Sequence, residues 1–415
     1  MVMTPGLLRG QLCGRCLSQS GPLVTLSGLQ SSTYTNTSFA ADTKFDARTA
    51  QFKVGTTPNN GVRLAGGSNG CWVGGEILGE FPPNTSWTTM HDKYGLIVRS
   101  SDSVGAAGIR IHKARVFNYG DNVAFDAQGD TDWHMCGCYL KYARDDGIEN
   151  DWYNNGTIRD CFIDGCYDGI SAREYGSPPD GSGNLITIEN SLIRLQGMDS
   201  VFGGSVPNHN AFWKWHDNAP QIILRNVVFR ADSTSQEGNG AGMYMAPPPG
   251  KCIESVGNTM VWLGQGSFPE TLPGGFTLLT GQTGIDFWNE AAAAWLAGHA
   301  PLTDIADPIV SMFQPGVIGS STLTGSAVTL VATAVDDVDV VGVQFKLDGL
   351  DIGSEQTAPT DWNPTNNITR DMFTKYKIVW DSTTKSNGSY TLTATARDAA
   401  GHSKTSAGVA VTVSN

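Results

Sequence analysis

The sequence has no apolar segment near the length of about 20 residues that a helix needs to cross a bilayer, so we expect no membrane span. Basic residues are also scarce: 27 Lys and Arg stand against 40 Asp and Glu, and the formal net charge is -13. An acidic surface repels nucleic acid and anionic lipid. We therefore expect no nucleic-acid partner.

Several catalytic and targeting signatures are missing as well. The N-terminal segment carries arginines but no clean apolar core, so a signal peptide is not evident. There is no Gly-rich loop followed by Lys-Ser, and no Gly-x-Ser-x-Gly elbow. These absences disfavour nucleotide-dependent and serine-hydrolase chemistry.

Cysteines are few and do not form a zinc pattern. Cys13 and Cys16 make a lone C-x-x-C in the N-terminal tail, with no second such pair and no paired His. The other six of the eight cysteines lie beside apolar residues and are interpreted as small core residues. None follows Cys252, so the C-terminal part has no disulfide of the antibody type.

The chain does contain 50 glycines and short apolar runs separated by turn residues, which is typical of many short strands. Three stretches superpose: IRIHKARVFNYGDNVAFDA from Ile109, WHMCGCYLKYARDDGIEND from Trp133 and TIRDCFIDGCYDGISARE from Thr157. Each has an apolar strand, a short turn, and Asp before a small or polar residue. Self-similarity at this period predicts a solenoid, and the run lengths favour strands over helices.

The repeat register predicts which residues stack on successive coils. Asp121, Asp146 and Asp168 are equivalent, at spacings of 25 and 22 residues, and Cys138 and Cys161 are also equivalent. The cysteine pair is compatible with a disulfide or with a reduced stack. Less regular coils continue from Ile186, Gln221 and Cys252, with loop insertions between them.

These patterns predict an all-β protein: a right-handed parallel β-helix followed by an Ig-like β-sandwich. We divide the chain into an N-terminal tail (1–22), the β-helix (23–282), a capping helix and linker (283–306), and the sandwich (307–415). The helix, rich in Ala, Trp and Leu, is expected to cover the open end of the solenoid. Alternating strands and turns such as Ser386-Asn387-Gly388 support the sandwich.

Two family resemblances follow from these segments. VQFKLDGLDIGSE and WDSTTKSNGSYTLTATARDAAGHSKTS resemble the bacterial Ig-like modules of secreted and surface enzymes, which serve as spacers, stabilisers or binders. The coils between about 57 and 264 resemble the right-handed β-helix group with a pectin-lyase-like fold. That resemblance implies a secreted or cell-surface protein of bacterial type that acts on a polysaccharide; it leaves the oligomeric state unknown.

The densest polar constellation lies on the central coils. Carboxylates on adjacent strands about 4.8 Å apart cannot all ionise without a cation or hydrogen bonds, so some should retain protons, as a general acid requires. The same Asp-Gly pattern is also ordinary turn chemistry. The candidate catalytic residues are Asp145, Asp146, Asp168, Glu149, Arg144 and Lys141.

Three interpretations of this constellation stay open. Polygalacturonase-like β-helix hydrolases carry an Asp-Asp pair that Asp145-Asp146 resembles, which implies glycoside hydrolysis by paired carboxylates. The constellation also resembles that of β-helix polysaccharide lyases. This resemblance implies that the acidic residues, here Asp146, Asp168 and Asp151, hold Ca²⁺ and that a Lys or Arg is the base. The third interpretation is a non-catalytic carbohydrate-binding or adhesion scaffold.

Aromatic residues near these coils predict a carbohydrate ligand, because flat rings stack on sugar faces. We expect them to be exposed. The candidate substrate-binding residues are Trp152, Tyr167, Arg173, Trp213, Trp215 and His216, the last three in the inserted loop PNHNAFWKWHDN.

Overall fold

The computed structural model describes residues 13, 16–174, 177–199, 208–235, 238, 242–360 and 374–415. They form two compact units. The first comprises Met1–Gly79, Thr89–Gly197 and Asn208–Leu302, and the second comprises Glu80–Thr88, Met198–Pro207 and Thr303–Asn415. Strands dominate both units, so the predicted all-β class is confirmed.

The first unit is a stack of short strands joined into one 23-stranded sheet. In chain order the strands are β1 (Leu23–Gln30), β2 (Tyr34–Phe39), β3 (Lys44–Phe52), β4 (Asn60–Gly66), β5 (Cys71–Val73), β6 (Glu76–Leu78), β7 (Tyr94–Val98), β8 (Arg110–His112), β9 (Arg115–Phe117), β10 (Asp121–Ala124), β11 (Trp133–Cys136), β12 (Tyr139–Glu149), β13 (Gly156–Arg159), β14 (Phe162–Ala172), β15 (Leu185–Glu189), β16 (Leu192–Leu195), β17 (Trp213–Trp215), β18 (Gln221–Arg225), β19 (Val228–Ala231), β20 (Met243–Tyr244), β21 (Cys252–Val256), β22 (Asn258–Trp262) and β23 (Phe276–Thr280).

These strands line up in three faces that wrap around one core. The first face contains β5, β8, β11, β13, β15, β18 and β21; the second contains β6, β9, β12, β14, β16, β19, β22 and β23. The third contains β2, β4, β7, β10, the C-terminal halves of β12 and β14, β17 and β20. Pairing is parallel throughout except between β17 and β20. A parallel β-helix is therefore present, as the repeat predicts.

Inward side chains stack on their equivalents in the predicted register. Ile111 pairs with Met135, which pairs with Ile158 on the next coil, and all three are fully buried. Burying one such side chain stabilises the fold by about 1.5–3 kcal/mol. Every coil adds to the same continuous column, which is why a chain with short strands can hold a large core.

A sharp bend separates the first face from the second on each coil. The bend places one residue in the left-handed backbone region, a conformation that Gly, Asn and Asp adopt at low cost. Asp160, Asn190 and Asn226 have φ values of 52°, 49° and 55° there, and glycine occupies the same place at Gly137 and Gly257. The frequent Asn, Asp and Gly of the sequence thus set the corners of the coil.

In the described part of the chain, two α-helices accompany the strands, α1 (Trp87–Met90) and α2 (Gly281–Gly298), and a short 3-10 helix spans Cys16–Ser18. The predicted position of α2 over the open end is wrong. Its Trp288 and Trp295 pack on Tyr139, Phe162 and Leu192, which are outward side chains on successive coils of the second face. The helix therefore lies lengthwise along that face, because its apolar stripe matches a column of apolar residues there.

Among its described residues, the second unit contains two sheets around a separate core. One sheet has the order β24 (Ile309–Gln314), β26 (Val328–Val335), β29 (Lys375–Trp380). The other has the order β25 (Thr322–Leu323), β32 (Val409–Val413), β30 (Gly388–Asp398), β27 (Val340–Leu347), β28 (Leu350–Asp351), and β31 (Ser403–Thr405) pairs with β30. The pairing in these sheets is antiparallel except between β25 and β32. A 3-10 helix spans Ser382–Thr384. This is the predicted Ig-like sandwich.

Two disulfide bonds attach the N-terminal segment to the first face. Cys13 is bonded to Cys136 and Cys16 to Cys71, with Cα atoms 5.5 and 5.7 Å apart. The interpretation of Cys71 and Cys136 as plain core residues is therefore wrong; both side chains point outward from the coil. Cys138 and Cys161 are buried free thiols, which is the reduced-stack alternative.

Replacing Cys13 and Cys16 by Ser together should lower the free energy of unfolding by about 2–5 kcal/mol, because two long loops lose their closure. Chemical denaturation under non-oxidising and oxidising conditions measures this. Cys252→Ser removes a free thiol and is the matched control, expected to change stability little. Equal stability of the double variant and the parent would show that the disulfides do not form.

Candidate functional site

The carboxylates of the central coils gather at the start of the third face. Asp146 of β12 pairs in register with Asp168 of β14, and the amide of Asp146 donates to Asp121 Oδ1 at 3.0 Å. We call Asp121, Asp145, Asp146, Glu149, Asp151 and Asp168 the acidic cluster. Parallel strands in register bring these groups together because equivalent positions on successive coils must lie side by side.

Most of the cluster is shielded from solvent. Asp121, Asp146 and Asp168 retain 0%, 2% and 1% exposure, while Asp145 retains 5%. Asp168 accepts from the amide of Ala211 at 3.0 Å. Among the described residues, Asp146 Oδ1 has no hydrogen-bond partner. A turn requires neither so many buried carboxyl groups nor a carboxyl oxygen that lacks a hydrogen-bond partner.

Lys214 supplies the positive charge of the site, and sequence reasoning missed it. Its Nζ lies 2.9 Å from Asp146 Oδ2, 3.5 Å from Asp145 Oδ1 and 4.0 Å from Asp168 Oδ2. The signal was present: Trp213-Lys214-Trp215 alternates apolar and polar residues, as a strand does. The segment is strand β17, paired with β14, and Lys214 is opposite Ser171.

Burial and mutual repulsion change the protonation of the cluster. Burial, opposed by Lys214, raises the pKa of Asp168 to about 7. Burial also raises the pKa of Asp151 to about 6 and the pKa of Asp146 well above its usual value. Burial lowers the pKa of Lys214, but the neighbouring carboxylates, Asp145 first, together raise it well above normal. The site therefore holds an ammonium group beside carboxyl groups that carry protons near neutral pH.

Two predicted catalytic residues lie elsewhere. Lys141 of β12 is opposite Asp164 on the second face, and Asp164 pairs with Arg194 at 2.7 Å. Arg144 is buried, with its Nη1 3.4 Å from Asn118 Oδ1 and its guanidinium over the Tyr142 ring. The structure brings Asp145, Asp146, Glu149 and Asp168 together but not Lys141 or Arg144 with them.

The expectation that the nearby aromatics are exposed is wrong. Trp213 and Trp215 retain 1% exposure, Tyr167 retains 0% and Trp152 retains 9%. The alternation of β17 turns both tryptophans inward, where Trp213 packs near Phe229 with ring centroids 5.9 Å apart. In this conformation their ring faces are in the core and not available to a sugar.

The two polar residues of the predicted binding set lie at the surface. His216 borders a cleft of about 470 Å³ that Tyr244 and Asn218 also line. Arg173 is exposed, and its amide donates to Asp151 Oδ1 at 3.0 Å. Trp215, the residue after Lys214, also borders this cleft, whereas the residues of the acidic cluster do not line it. Tyr175, another aromatic of these coils, lies outside the described residues.

The three predicted calcium ligands do not converge on one point. Asp151 accepts from the Ser171 hydroxyl at 2.6 Å and from the Arg173 amide. Asp146 and Asp168 both face Lys214, whose ammonium group stands where a cation would have to bind. The carboxylates that come within 4.8 Å of one another are instead those of Asp121, Asp145 and Asp146. We therefore derive no chemistry through calcium.

Comparisons with known proteins concern the second unit. Residues 308–394 match the family model described as a bacterial Ig domain. A solved structure of fibronectin(III)-like modules of CbhA from Clostridium thermocellum is similar at 20% identity, with a TM-score of 0.17. That match covers 28% of this chain and 52% of the other, so the chain spans about half of its length. No curated protein matches.

The comparisons and the sheets together define the second unit as an Ig-like module of bacterial type. No helix among the described residues is long and apolar enough to cross a membrane.

The free energy of unfolding of the parent should fall as pH rises from about 5 to about 7, and Asp168→Asn should make that fall smaller. The raised pKa values of Asp168 and Asp151 mean that the folded state binds more protons than the unfolded state there, so stability falls as pH rises. Over this range the free energy of unfolding should fall more in the parent than in the variant, by on the order of a few kcal/mol. Denaturant unfolding across this range measures the difference.

Asp164→Asn is the control of opposite sign. Burial favours the protonated form of Asp164, but Arg194 outweighs it, and the pKa of Asp164 is lowered. Its removal should therefore cost stability at pH 7 and less at lower pH. Identical pH profiles for both variants would contradict the assignment of protonated carboxyl groups to the cluster.

Lys214→Met should destabilise the protein by about 3–5 kcal/mol at pH 8, because it leaves buried carboxylates without their ammonium partner. The loss should be smaller at pH 5, where those carboxyl groups take up protons. Thermal unfolding at both pH values measures this. Lys141→Met, on the second face, is the control and should show no such dependence on pH; a pH-independent loss for Lys214→Met would refute its role.

Proposed function

We propose that the first unit is a polysaccharide-active enzyme of the pectin-lyase-like fold group and that it hydrolyses glycosidic bonds at the acidic cluster. The observation that carries this proposal is the contact of Lys214 with Asp145, Asp146 and Asp168. It combines, within one site, an ammonium group, the Asp145 carboxyl group that it contacts, and the Asp168 carboxyl group, whose pKa is raised to about 7.

Glycoside hydrolysis needs such a division of roles. One carboxyl group donates a proton to the glycosidic oxygen, and another, ionised, takes a proton from water or attacks the sugar carbon. Asp168, with a pKa of about 7, is suited to the acid role near neutral pH. Asp145, which faces Lys214 and is the most exposed of the aspartates beside it, is suited to the base role.

Lyase chemistry is less well supported by this arrangement. It requires a base that removes the proton α to a uronate carboxyl group. The raised pKa of Lys214 keeps that residue protonated, and Lys141 and Arg144 lie apart from the cluster. Hydrolysis by paired carboxylates does not need any of these three residues as a base.

The burial of the cluster favours a second candidate, a non-catalytic carbohydrate-binding or adhesion scaffold. Asp121, Asp146 and Asp168 are each at most 2% exposed, and Asp145 is 5% exposed, whereas Glu149 and Asp151 are half-buried. In this candidate the carboxyl column holds the coils together, and the glycan binds elsewhere on the surface.

A secreted or cell-surface location fits either candidate. Disulfides persist in oxidising compartments, and the described residues contain two of them. The Ig-like module supports the same location, and we assign it the role of a spacer. The polysaccharide partner belongs to this proposal. Because Lys214 faces Asp146 and Asp168, we expect a chelator added during assays to leave the rate unchanged.

Purified protein should release reducing ends from at least one glycan in a panel of pectic, alginate-like and neutral polysaccharides, without new ultraviolet absorbance. Asp168→Asn and Asp145→Asn should each lower that rate by about 10²–10⁴-fold, as expected for loss of a general acid or base. Melting temperatures of the variants, measured in parallel, separate loss of chemistry from loss of fold.

Asp130→Asn is the matched control, because Asp130 is a buried carboxylate that accepts from the amides of Ala106 and Ala127, far along the coil from Lys214. It should retain the rate at temperatures where it stays folded. Unsaturated products would establish a lyase instead. Binding without turnover on every glycan would establish the scaffold.

A further inference from the structure

A groove on the first face has no part in the proposed chemistry. Its volume is about 700 Å³, and strands β8, β11, β13 and β15 form its floor. Those four strands extend about 15 Å along the solenoid, which suits an extended ligand. The groove is lined by Cys16, Arg110, His112, Asp132, Trp133, His134, Asn155, Gly156, Thr157, Arg159, Leu185 and Thr187.

The strand register arranges its polar groups in two columns. Arg110, His134, Thr157 and Thr187 are equivalent on successive coils, so they form one column along the floor. His112 and Arg159 belong to the second column, separated by the disulfide-bonded Cys136. Arg110 and Arg159 are therefore two strands apart, about 10 Å along the axis.

The two histidines meet between these arginines. His112 Nε2 lies 3.2 Å from His134 Nδ1; His112 is buried, with 3% exposure, and His134 is half-buried. One imidazole must donate and the other accept in this contact, so at least one of the two rings is neutral. Uptake of one proton by a neutral pair gives it a positive charge.

Positive charge dominates the surroundings of the pair. The charged groups that face it are Arg110, Lys113 and Arg159 on the positive side, and Asp132 and Glu189 on the negative side. Glu189 is shared with Arg159 and Arg225, at 2.7 and 2.6 Å. On a chain with a formal net charge of -13, this is a local basic recess.

We propose that this groove is a binding site for an oligosaccharide that carries carboxylate or sulfate groups, and that its affinity increases as the His112–His134 pair takes up a proton. Arg110 matches the planar, bidentate geometry of such anions, and Arg159, whose Nε and Nη2 contact Glu189, adds a second positive charge. Thr157, Thr187 and Asn155 supply hydrogen bonds to sugar hydroxyl groups.

The protonation linkage follows from the groove's electrostatics. Burial, together with Arg110 and other basic neighbours, lowers the pKa values of His112 and His134 to about 4. A bound anion opposes that effect and raises the histidine pKa, so binding takes up a proton. Affinity must then rise as pH falls from neutral towards the free-state value. The same basic neighbours disfavour a metal cation at the imidazole pair.

Titration calorimetry with the full chain tests the proposal. The probes are a hexameric oligogalacturonate, a sulfated galactan hexasaccharide that carries no carboxylate, and neutral cellohexaose, each at pH 5, 6, 7 and 8. We expect the two anionic probes to bind, at least fivefold more tightly at pH 5 than at pH 8, and cellohexaose not to bind at this site. The relative affinity of the two anionic probes distinguishes carboxylate from sulfate.

Variants separate this groove from the acidic cluster. Arg110→Gln with Arg159→Gln should weaken binding by tenfold or more, and His112→Gln with His134→Gln should remove the dependence on pH while retaining binding at pH 8. Asp168→Asn, which is aimed at the proposed hydrolysis, should leave this binding unchanged. Binding that survives the arginine variants, that is independent of pH in the parent, or that is equal for cellohexaose would overturn the proposal.

Discussion

The whole first unit depends on parallel pairing of successive coils in one register. Because each strand hydrogen-bonds its equivalent on the coil above and below, every residue stands beside the same position of its neighbour. Ile111, Met135 and Ile158 show the favourable result, a continuous buried column. The bends that permit it require Gly, Asn or Asp in the left-handed region, which accounts for much of the composition.

The same register forces polar residues into columns too, and the outcome depends on their signs. On the first face Arg159, Glu189 and Arg225 alternate in charge, with contacts of 2.7 and 2.6 Å, and stabilise one another. On the third face Asp146 stands directly beside Asp168, and like charges accumulate instead. Lys214, on a strand of a later coil, compensates them.

Sequence reasoning succeeded where a feature repeats. The period, the equivalence of Asp146 with Asp168 and the Ig-like module are all visible in local patterns. It failed where the partner is distant and unrepeated. The loop containing Trp213 was interpreted as an exposed aromatic platform, whereas strand pairing with β14 buries both tryptophans and turns Lys214 towards the carboxylates. The Cys13–Cys136 bond likewise joins segments 123 residues apart.

The sequence by itself determined that this protein is a stack of coils followed by a β-sandwich, because hydrophobic periodicity and turn chemistry act over a few residues. The tertiary structure determines which charged side chains lie close together. It replaced Lys141 and Arg144 with Lys214 as the cation of the acidic cluster, and it showed the basic groove around His112 and His134. The physical reason is that protonation and ion pairing depend on distances between coils, which a linear pattern does not specify.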